Sequence, residues 1–443
     1  MHPETQLDYI RNNIDAFERS VYSKGSRLVT LGAPKLFNPT KAYYQSTTEH
    51  SFVQFFEKSG NKITDSGNLY HVDHNNQYRT SFTDETLQKA LDILPTDEEI
   101  FKILETFFLI CSTNYFYLHP REYFKDVKYY LEMKSQNRMD FLRQNWIVLV
   151  ILLAIISITA GYEFMTDDPV IDISDPTIDL DAMRTQYYEA CLGFVGDLIA
   201  CNTRGSSKAL LLIGLFLTTN ESEKLFSTTH NGYLYIYLAT EVAIINGLHL
   251  KKNGPHTPEA ESDARFWWTC YCVERRYGLN LAKAELIKSE EITVGLPQYC
   301  EELCYFDGST NFSLQSSIVQ LTFIISRISS LMSTVQSEDY IRLDSKIIKS
   351  ILVDLEDWKA NSPAKEPSSS LDPENGLFRA HMHIRLNYLF SKLYISKPFL
   401  LYKVENYSIM RRKNFSEAAY IDHMTSICMD AAFGMIQLLS TLE

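Results

Sequence analysis

One uncharged apolar run restricts what this chain can fold into. Residues 146–160 read WIVLVILLAIISITA, and no charged residue lies between Arg143 and Glu163. An α-helix that crosses a bilayer needs roughly 17 to 25 apolar residues, and Lys or Arg clusters beside it set its orientation. This run is only 15 residues long and has no such cluster on either side. The sequence therefore predicts a fully buried helix at the centre of a globular fold rather than a membrane span.

Apolar residues recur at the spacing of amphipathic helices in most of the chain after residue 95. The first pattern begins at a capping box, in which Thr96 and Glu99 satisfy each other's free backbone N–H groups. It is predicted to stop near His119, because Pro120 disfavours helical backbone in the residue before it. Strand-like alternation is missing from the sequence, and so are hairpin dipeptides between β-rich runs, so the predicted fold class is all-α. Further helical patterns cover residues 234–245, 348–358 and 421–439.

The pattern divides the chain into two parts. Residues 1–93 are rich in Asn, Ser, Thr, Tyr and Gly and have no sustained period, which predicts an irregular N-terminal arm or linker. Residues 94–443 are predicted to form a single large multi-helix domain, with polar loops at 167–181 and 362–376. The last helical pattern reaches Leu442 without a stop signal, so we expect the natural chain to continue beyond residue 443.

Charge and cysteine content restrict the class of protein. The chain has 42 Lys and Arg against 55 Asp and Glu, a net charge of −13, which is opposite in sign to the basic face that nucleic acids select. It is therefore not expected to bind DNA by itself. The start of the sequence lacks the pattern of a signal peptide, and the eight cysteines are sparse and scattered. We interpret them as mostly buried thiols in a reducing compartment.

The sequence contains none of the motifs that are typical of catalytic or metal-binding sites. Phosphate-binding glycine loops, zincin motifs and hydrolase motifs are missing, and so are the inward-facing Asp-rich or Glu-x-x-His helices of an all-α enzyme, the alternative considered. Cys270-x-Cys272 and Cys300-x3-Cys304 lack the spacing of zinc knuckles. His381 and His383 cannot reach one ion from a single helix and are interpreted as surface histidines. We expect neither enzymatic activity nor a metal or cofactor in this chain.

Residues 257–297 are the most informative segment. Thr257 followed by Pro258 predicts a helix start, and Glu261 and Arg265 form a favourable i,i+4 pair on that helix. Apolar side chains follow on two sides of it, which predicts a helix central to its domain. Its charged residues Glu274, Arg275 and Arg276 should then be at least partly buried, each with a partner that offsets the cost of desolvation.

This segment resembles the fungal-specific transcription factor domain, the middle homology region of binuclear zinc cluster transcription regulators. The family's pattern has an Arg-rich start, a Trp-Trp pair, an acidic-Arg pair and a closing Leu-Pro. The matching residues are Arg265, Trp267, Trp268, Glu274, Arg275 and Pro297, with His119 and His249 in weaker flanking matches. The chain departs from the family at residues 282–284, where Ala-Lys-Ala replaces Gly-Arg-Pro. The resemblance covers residues 94–402.

The resemblance implies a nuclear, all-α regulatory domain that controls transcription through co-regulators or by self-association as a homodimer. In the family, DNA binding belongs to a zinc cluster of six closely spaced cysteines that precedes this domain. That cluster is absent from this chain, whose first cysteine is Cys111, so zinc is expected only in the missing segment. A structural subunit of a chromatin-associated complex remains an alternative with the same sequence features.

Some relatives in the family sense small apolar molecules in their helical core. The aromatic residues of this chain could line such a pocket, although rings at helical spacing more simply fill a core. A ligand, if one binds, is expected to contact Trp267 and Trp268, with Arg265 or Arg276 as a polar anchor.

Overall fold

Helices make up the regular structure of this protein. The computed structural model describes residues 80–165, 170, 179–219, 228–252, 256–281, 283–304, 310–333, 344–365, 377–405 and 415–440. These residues contain no strand and fourteen α-helices, so the predicted all-α class is confirmed. The helices are α1 (Asp84–Asp92), α2 (Asp97–Thr106), α3 (Pro120–Ser135), α4 (Met139–Gln144), α5 (Trp146–Thr159), α6 (Leu180–Leu192), α7 (Val195–Cys201), α8 (Arg204–Thr219), α9 (Thr228–Ile245), α10 (Pro258–Asn280), α11 (Phe312–Ser333), α12 (Ser345–Asn361), α13 (Phe378–Glu405) and α14 (Phe415–Ser440).

The predicted helix starts are present. At the start of α2, the Thr96 backbone N–H donates to Glu99 Oε2 at 2.8 Å, and the Glu99 N–H donates back to Thr96 Oγ1 at 3.4 Å. At the start of α10, Thr257 Oγ1 accepts from the Ala260 N–H at 3.2 Å, and Pro258 is the first helical residue. Both helices therefore begin where side-chain oxygens satisfy backbone donors that the helix itself leaves free.

Helix α5 is the buried helix predicted from the apolar run. It spans 14 residues, and its side chains from Leu149 to Thr159 are all buried against α6, α8 and the surrounding helices. A helix that is apolar on every side lies in the interior of a protein core. In the part of the chain that the structure describes, no helix combines the length and apolar character that crossing a membrane requires.

The predicted boundary at residue 93 between the N-terminal arm and the helical domain is wrong. Residues 84–92 form α1, and Thr83 Oγ1 caps it by accepting from the Thr86 N–H at 3.1 Å. Leu87 and Leu91 of α1 are buried in the main core, so residues 84–92 belong to the helical domain rather than to an irregular arm. The helix was missed because nine residues give too few repeats of a 3.6-residue period to detect. Residues 1–79 lie outside the described residues, as do 167–169 and 171–178 of the predicted loop at 167–181 and 366–376 of the predicted loop at 362–376. The ends of these two predictions are wrong, because Leu180 and Asp181 belong to α6 and Pro363–Lys365 form a short 3-10 helix.

The first predicted helix ends earlier than expected. Helix α2 continues through a π-helical turn at 107–111 and stops there, eight residues before His119. The backbone of residues 112–119 is held by side chains from elsewhere in the chain. Asn311 Nδ2 donates to the Thr113 and Tyr115 carbonyls at 2.9 and 3.2 Å, and the Phe116 N–H donates to Thr269 Oγ1 at 3.1 Å. Such long-range contacts override a local helical pattern.

Two apolar clusters form most of the core. The larger one surrounds α5 and takes in buried residues from α1 to α10, whereas the smaller one takes in α11 to α14. Helices α10 and α11 belong to both, since Leu279 of α10 joins the smaller cluster and Val319 of α11 joins the larger. All described residues lie in one compact unit of the chain. Helix α10 therefore lies where the two parts of the core meet.

Candidate functional site

Helix α10 carries most of the residues that the sequence singled out. Every residue from Glu261 to Leu279 is buried except Arg276, as expected for a helix packed on both sides. Five charged side chains are therefore removed from water: Arg265 is 0%, Glu261 and Glu274 1%, Arg275 4% and Asp263 8% exposed. A buried charge is tolerated only when partners replace the hydration that it loses.

Arg265 connects α10 to the Leu296-Pro297 step. Its Nε donates to Glu261 Oε1 at 2.9 Å, and its Nη2 donates to the Gln298 carbonyl at 2.5 Å. The Gln298 N–H in turn donates to Glu261 Oε1 at 2.8 Å. The buried ion pair thus holds both the N–H and the C=O of one backbone residue. The Arg-rich start and the closing Leu-Pro are distant in sequence but joined in the fold.

The two tryptophans contact different surroundings. Trp268 Nε1 donates to the Gly295 carbonyl at 2.7 Å, and its ring meets Tyr271 and Phe323 edge-on at 5.6 and 5.7 Å between centroids. Trp267 is fully buried and lies 5.5 Å from the His249 ring. Trp267 Nε1 and His249 Nδ1 are both buried without a hydrogen-bond partner. The indoles therefore contribute packing, and only Trp268 adds a hydrogen bond.

The acidic-Arg pair forms a second polar cluster further along α10. Arg275 Nη2 lies 3.1 Å from Glu274 Oε2, and Tyr233 Oη of α9 donates to Glu274 Oε1 at 3.0 Å. Arg275 Nη1 lies 3.9 Å from Glu285, and its Nη2 donates to the Ile287 carbonyl at 3.4 Å. Burial raises the pKa of Glu274, while the charge of Arg275 opposes that rise. The predicted partners of Glu274 and Arg275 are thus present.

The structure does not bring the four predicted pocket residues together. Arg276 contacts α13, where its Nη1 donates to His383 Nε2 at 2.7 Å. Arg265 and Arg276 are eleven positions apart, or about 16 Å along the helix axis. The buried rings of Trp267 and Trp268 instead contact the rings of His249, Tyr271 and Phe323. The interpretation of His383 as a surface histidine is wrong, because its ring packs against Arg276 and Tyr115.

His119 lies apart from these clusters. It precedes α3, is 8% exposed, and has Nε2 3.9 Å from Glu122.

Sequence analysis missed Thr269 and Gln315, which are buried. Gln315 Nε2 donates to the Arg265 carbonyl at 2.8 Å, and Thr269 Oγ1 donates to the Phe116 carbonyl at 2.7 Å. Single polar residues in an apolar helix face were the only signal that pointed to them.

The described residues do not group three or more His, Cys, Asp or Glu side chains in a geometry that could hold a metal ion. Five of the eight cysteines are buried and three half-buried, which confirms their interpretation as mostly buried thiols. Burial raises the pKa of Cys272 to about 12. Its sulfur accepts from Thr322 Oγ1 at 3.3 Å, so this thiol is a packing group of the core.

Burial lowers the pKa of His249 below its ordinary value of 6.5. A histidine with a lower pKa in the folded than in the unfolded state binds fewer protons when folded, so stability is lost as pH falls through the unfolded value. We expect the free energy of unfolding to decrease as the pH falls from about 7.5 to 5.5. His249→Gln should make the dependence of this free energy on pH less steep, by at most about 1.4 kcal/mol per pH unit. Urea denaturation over this range measures it. The matched control is His423→Gln at an exposed position of α14. If the free energy of unfolding depended equally steeply on pH in His249→Gln and His423→Gln, the prediction would be contradicted.

Comparisons with known proteins place these residues in context. Residues 104–360 match the sequence profile of the fungal specific transcription factor domain. The chain is 26% identical over 365 residues to an uncharacterized transcriptional regulatory protein of Schizosaccharomyces pombe, covering 81% of this chain and 42% of that protein. It is 20% identical over 313 residues to the thiamine repressible genes regulatory protein thi1 of the same organism. This match covers 70% of this chain and 38% of that protein. The chain thus spans about two fifths of the length of these relatives. No solved structure matches it.

The matched range begins in α2 and ends in α12, so it includes α10 and both of its polar clusters. It covers more than half of the 443 residues and contains the eight residues named for the resemblance, although the resemblance itself extends over residues 94–402. The chain therefore belongs to the family of the fungal specific transcription factor domain.

Proposed function

We propose that this chain is the regulatory domain of a nuclear transcription regulator and acts through protein partners rather than through catalysis. The observation that carries this proposal is the arrangement around α10. The family's residues there join segments of the fold, because Arg265 donates to the Gln298 carbonyl and Arg275 donates to the Ile287 carbonyl. The matched relatives are named as transcriptional regulatory proteins, and the chain spans about two fifths of their length.

DNA recognition is proposed to belong to a zinc cluster outside this chain. The net charge of −13 supports this division, because phosphate backbones are bound by basic surfaces. We expect the purified chain to show no salt-sensitive binding to duplex DNA. Fluorescence anisotropy with random-sequence and fungal promoter DNA tests this expectation, and submicromolar binding at physiological salt would overturn it.

A tethering assay tests the regulatory role. Residues 80–443 or the full chain are fused to a DNA-binding domain of known site, and a reporter carrying that site is measured in yeast. We expect the fusion to change reporter expression in either direction, and Arg265→Ala to weaken that change because it destabilises the domain. Arg327→Ala on the exposed face of α11 is the matched control. An unchanged reporter, with the fusion present in the nucleus, would contradict the proposal and favour a structural subunit of a chromatin-associated complex.

Partner binding is proposed to include self-association as a homodimer. Sedimentation equilibrium over a range of protein concentrations measures the mass directly. A monomer at every concentration would leave co-regulators as the partners, which affinity purification of the full-length protein from its own cells would identify.

A small apolar ligand is the second route of regulation that we propose. Because Trp267 and Trp268 contact neighbouring rings, a ligand would have to displace packed side chains to enter between them. Binding would raise the melting temperature by mass action. A thermal-shift screen of sterols and fatty acids tests this route, and the absence of any shift on well-folded protein would remove it.

A further inference from the structure

One buried carboxylate fixes the segment that leads into α1. Asp197 of α7 is 1% exposed and accepts three hydrogen bonds from Ser81 and Phe82. The Ser81 backbone N–H donates to Asp197 Oδ1 at 2.6 Å. The Ser81 hydroxyl and the Phe82 N–H donate to Asp197 Oδ2 at 2.9 and 3.1 Å. Hydrogen bonds to a carboxylate are stronger than those between neutral groups, and we call these three bonds the Asp197 latch.

The Phe82 side chain anchors the same segment in the core. Its ring is 5% exposed and lies 5.3 Å from the Trp146 ring and 4.9 Å from the Phe194 ring, between centroids. These rings belong to the larger apolar cluster. The latch therefore positions a core aromatic residue as well as the backbone beside it.

Arg143 of α4 contacts the residues on either side of Ser81. Its Nη2 donates to Thr80 Oγ1 at 3.1 Å and to the Phe82 carbonyl at 2.8 Å, and its Nη1 pairs with Asp84. The Ser81 side chain is bonded to Asp197 instead. A negative charge added at Thr80 would thus lie beside a guanidinium, whereas one added at Ser81 would lie beside a carboxylate.

Ser81 carries an exposed hydroxyl in an acidic context. Asp84 and Glu85 follow it at three and four positions, and their side chains are 82% and 75% exposed. A protein kinase with a basic substrate groove selects serines followed by acidic residues at these positions through charge complementarity. Because Phe82 is buried, such a kinase can take the segment in extended form only while the Asp197 latch is open.

We propose that Ser81 is a phosphorylation site and that its phosphate holds the Asp197 latch open. A kinase transfers the γ-phosphoryl group of a nucleoside triphosphate to Ser81 Oγ. The bond from this phosphorus to the β-phosphate oxygen breaks, the Oγ–P bond forms, and the hydroxyl proton passes to a base of the kinase. The nucleoside diphosphate then leaves.

The modified side chain opposes closure of the latch in two ways. It has no Oγ–H to donate to Asp197, and at pH 7 it carries a charge of about −1.5 to −2. In the closed latch Oγ lies only 2.9 Å from Asp197 Oδ2, so the phosphate and the carboxylate repel each other. Phosphorylation therefore detaches residues 81 and 82 from α7 and uncovers the Trp146 and Phe194 rings that Phe82 contacts.

Treatment of the full chain with a purified acidophilic serine kinase, Mg²⁺ and ATP tests the site. We expect phosphopeptide mass spectrometry to locate phosphate on Ser81, and Ser81→Ala to remove that phosphopeptide. Asp197→Asn should be labelled at Ser81 several-fold faster, because a weaker acceptor lets the latch open more often. Absence of phosphate on Ser81 in both the unaltered chain and Asp197→Asn would overturn the proposal.

Hydrogen exchange of the Ser81 and Phe82 amides measures the latch itself, since both N–H groups donate to Asp197. Phosphorylation of Ser81 is expected to speed their exchange about 10- to 100-fold, the range for a lost hydrogen bond to a charged group. Unchanged exchange in the phosphorylated chain would overturn the proposal.

Two variants of equal charge make this measurement specific. Ser81→Glu places a negative charge beside Asp197 and should speed exchange of the Phe82 amide. Thr80→Glu places the same charge beside Arg143 and should leave that exchange unchanged or slow it. Equal acceleration by the two variants would show a general effect of added charge and would count against the Asp197 latch.

Discussion

Arg265→Ala is expected to lower the free energy of unfolding by about 3–5 kcal/mol, the range for breaking a buried ion pair by removing one partner. Arg265 is fully buried, and Glu261, which it contacts at 2.9 Å, is 1% exposed. The variant leaves the Glu261 carboxylate with the Gln298 N–H and the exposed His256 at 3.4 Å. It also leaves the Gln298 carbonyl without the guanidinium donor. Urea denaturation followed by far-UV circular dichroism measures the change.

Two further variants make this prediction specific. Arg327→Ala breaks the exposed pair with Asp354 on α12 and should cost less than about 1 kcal/mol. The double variant Arg265→Ala/Glu261→Ala should cost less than the sum of the two single variants, because no buried charge is left alone. A loss below 1 kcal/mol for Arg265→Ala would mean that water reaches Glu261 and that the site is not buried as the structure shows.

Trp268→Ala is expected to cost about 3–5 kcal/mol, as large-to-small substitutions of buried aromatic residues do. Its side chain is 2% exposed, packs edge-on against Tyr271 and Phe323, and donates to the Gly295 carbonyl. The substitution removes a contact between α10 and α11 and leaves the Gly295 carbonyl without its indole donor. We also expect faster proteolysis of the segment 283–304, because its attachment at Gly295 is lost.

The matched control for Trp268→Ala is Leu234→Ala on α9. Leu234 is 55% exposed although it shares the helical pattern of the sequence, so its truncation should change stability by no more than about 0.5 kcal/mol. Limited proteolysis and denaturation of both variants give the comparison. Similar losses for the two variants would show that Trp268 is not an anchor of the core.

The sequence predicted the elements whose causes are local. The capping box at Thr96, the Thr257-Pro258 start of α10 and the uncharged run that became α5 are each encoded within one or two helical turns. The burial of Glu274 and Arg275 also followed from the sequence, because apolar residues on both sides of a helix leave its charged residues no exposed face. These inferences depend on the i to i+4 geometry that every helix shares.

Tertiary structure decided what depends on residues far apart in the chain. Nothing near residue 112 indicates that Asn311 and Thr269 would hold that segment out of a helix, and nine residues were too few to reveal α1. Sequence order placed Arg265 and Arg276 on one helix. Only the fold brought Arg265 into contact with Glu261 and Gln298, and Arg276 into contact with His383. The spacing of residues along a helix is a local property, whereas the partners of a buried charge are set by which helices pack together. The sequence by itself therefore determined the fold class and the central helix, and only the packing of α10 against α9, α11 and α13 determined which polar groups meet.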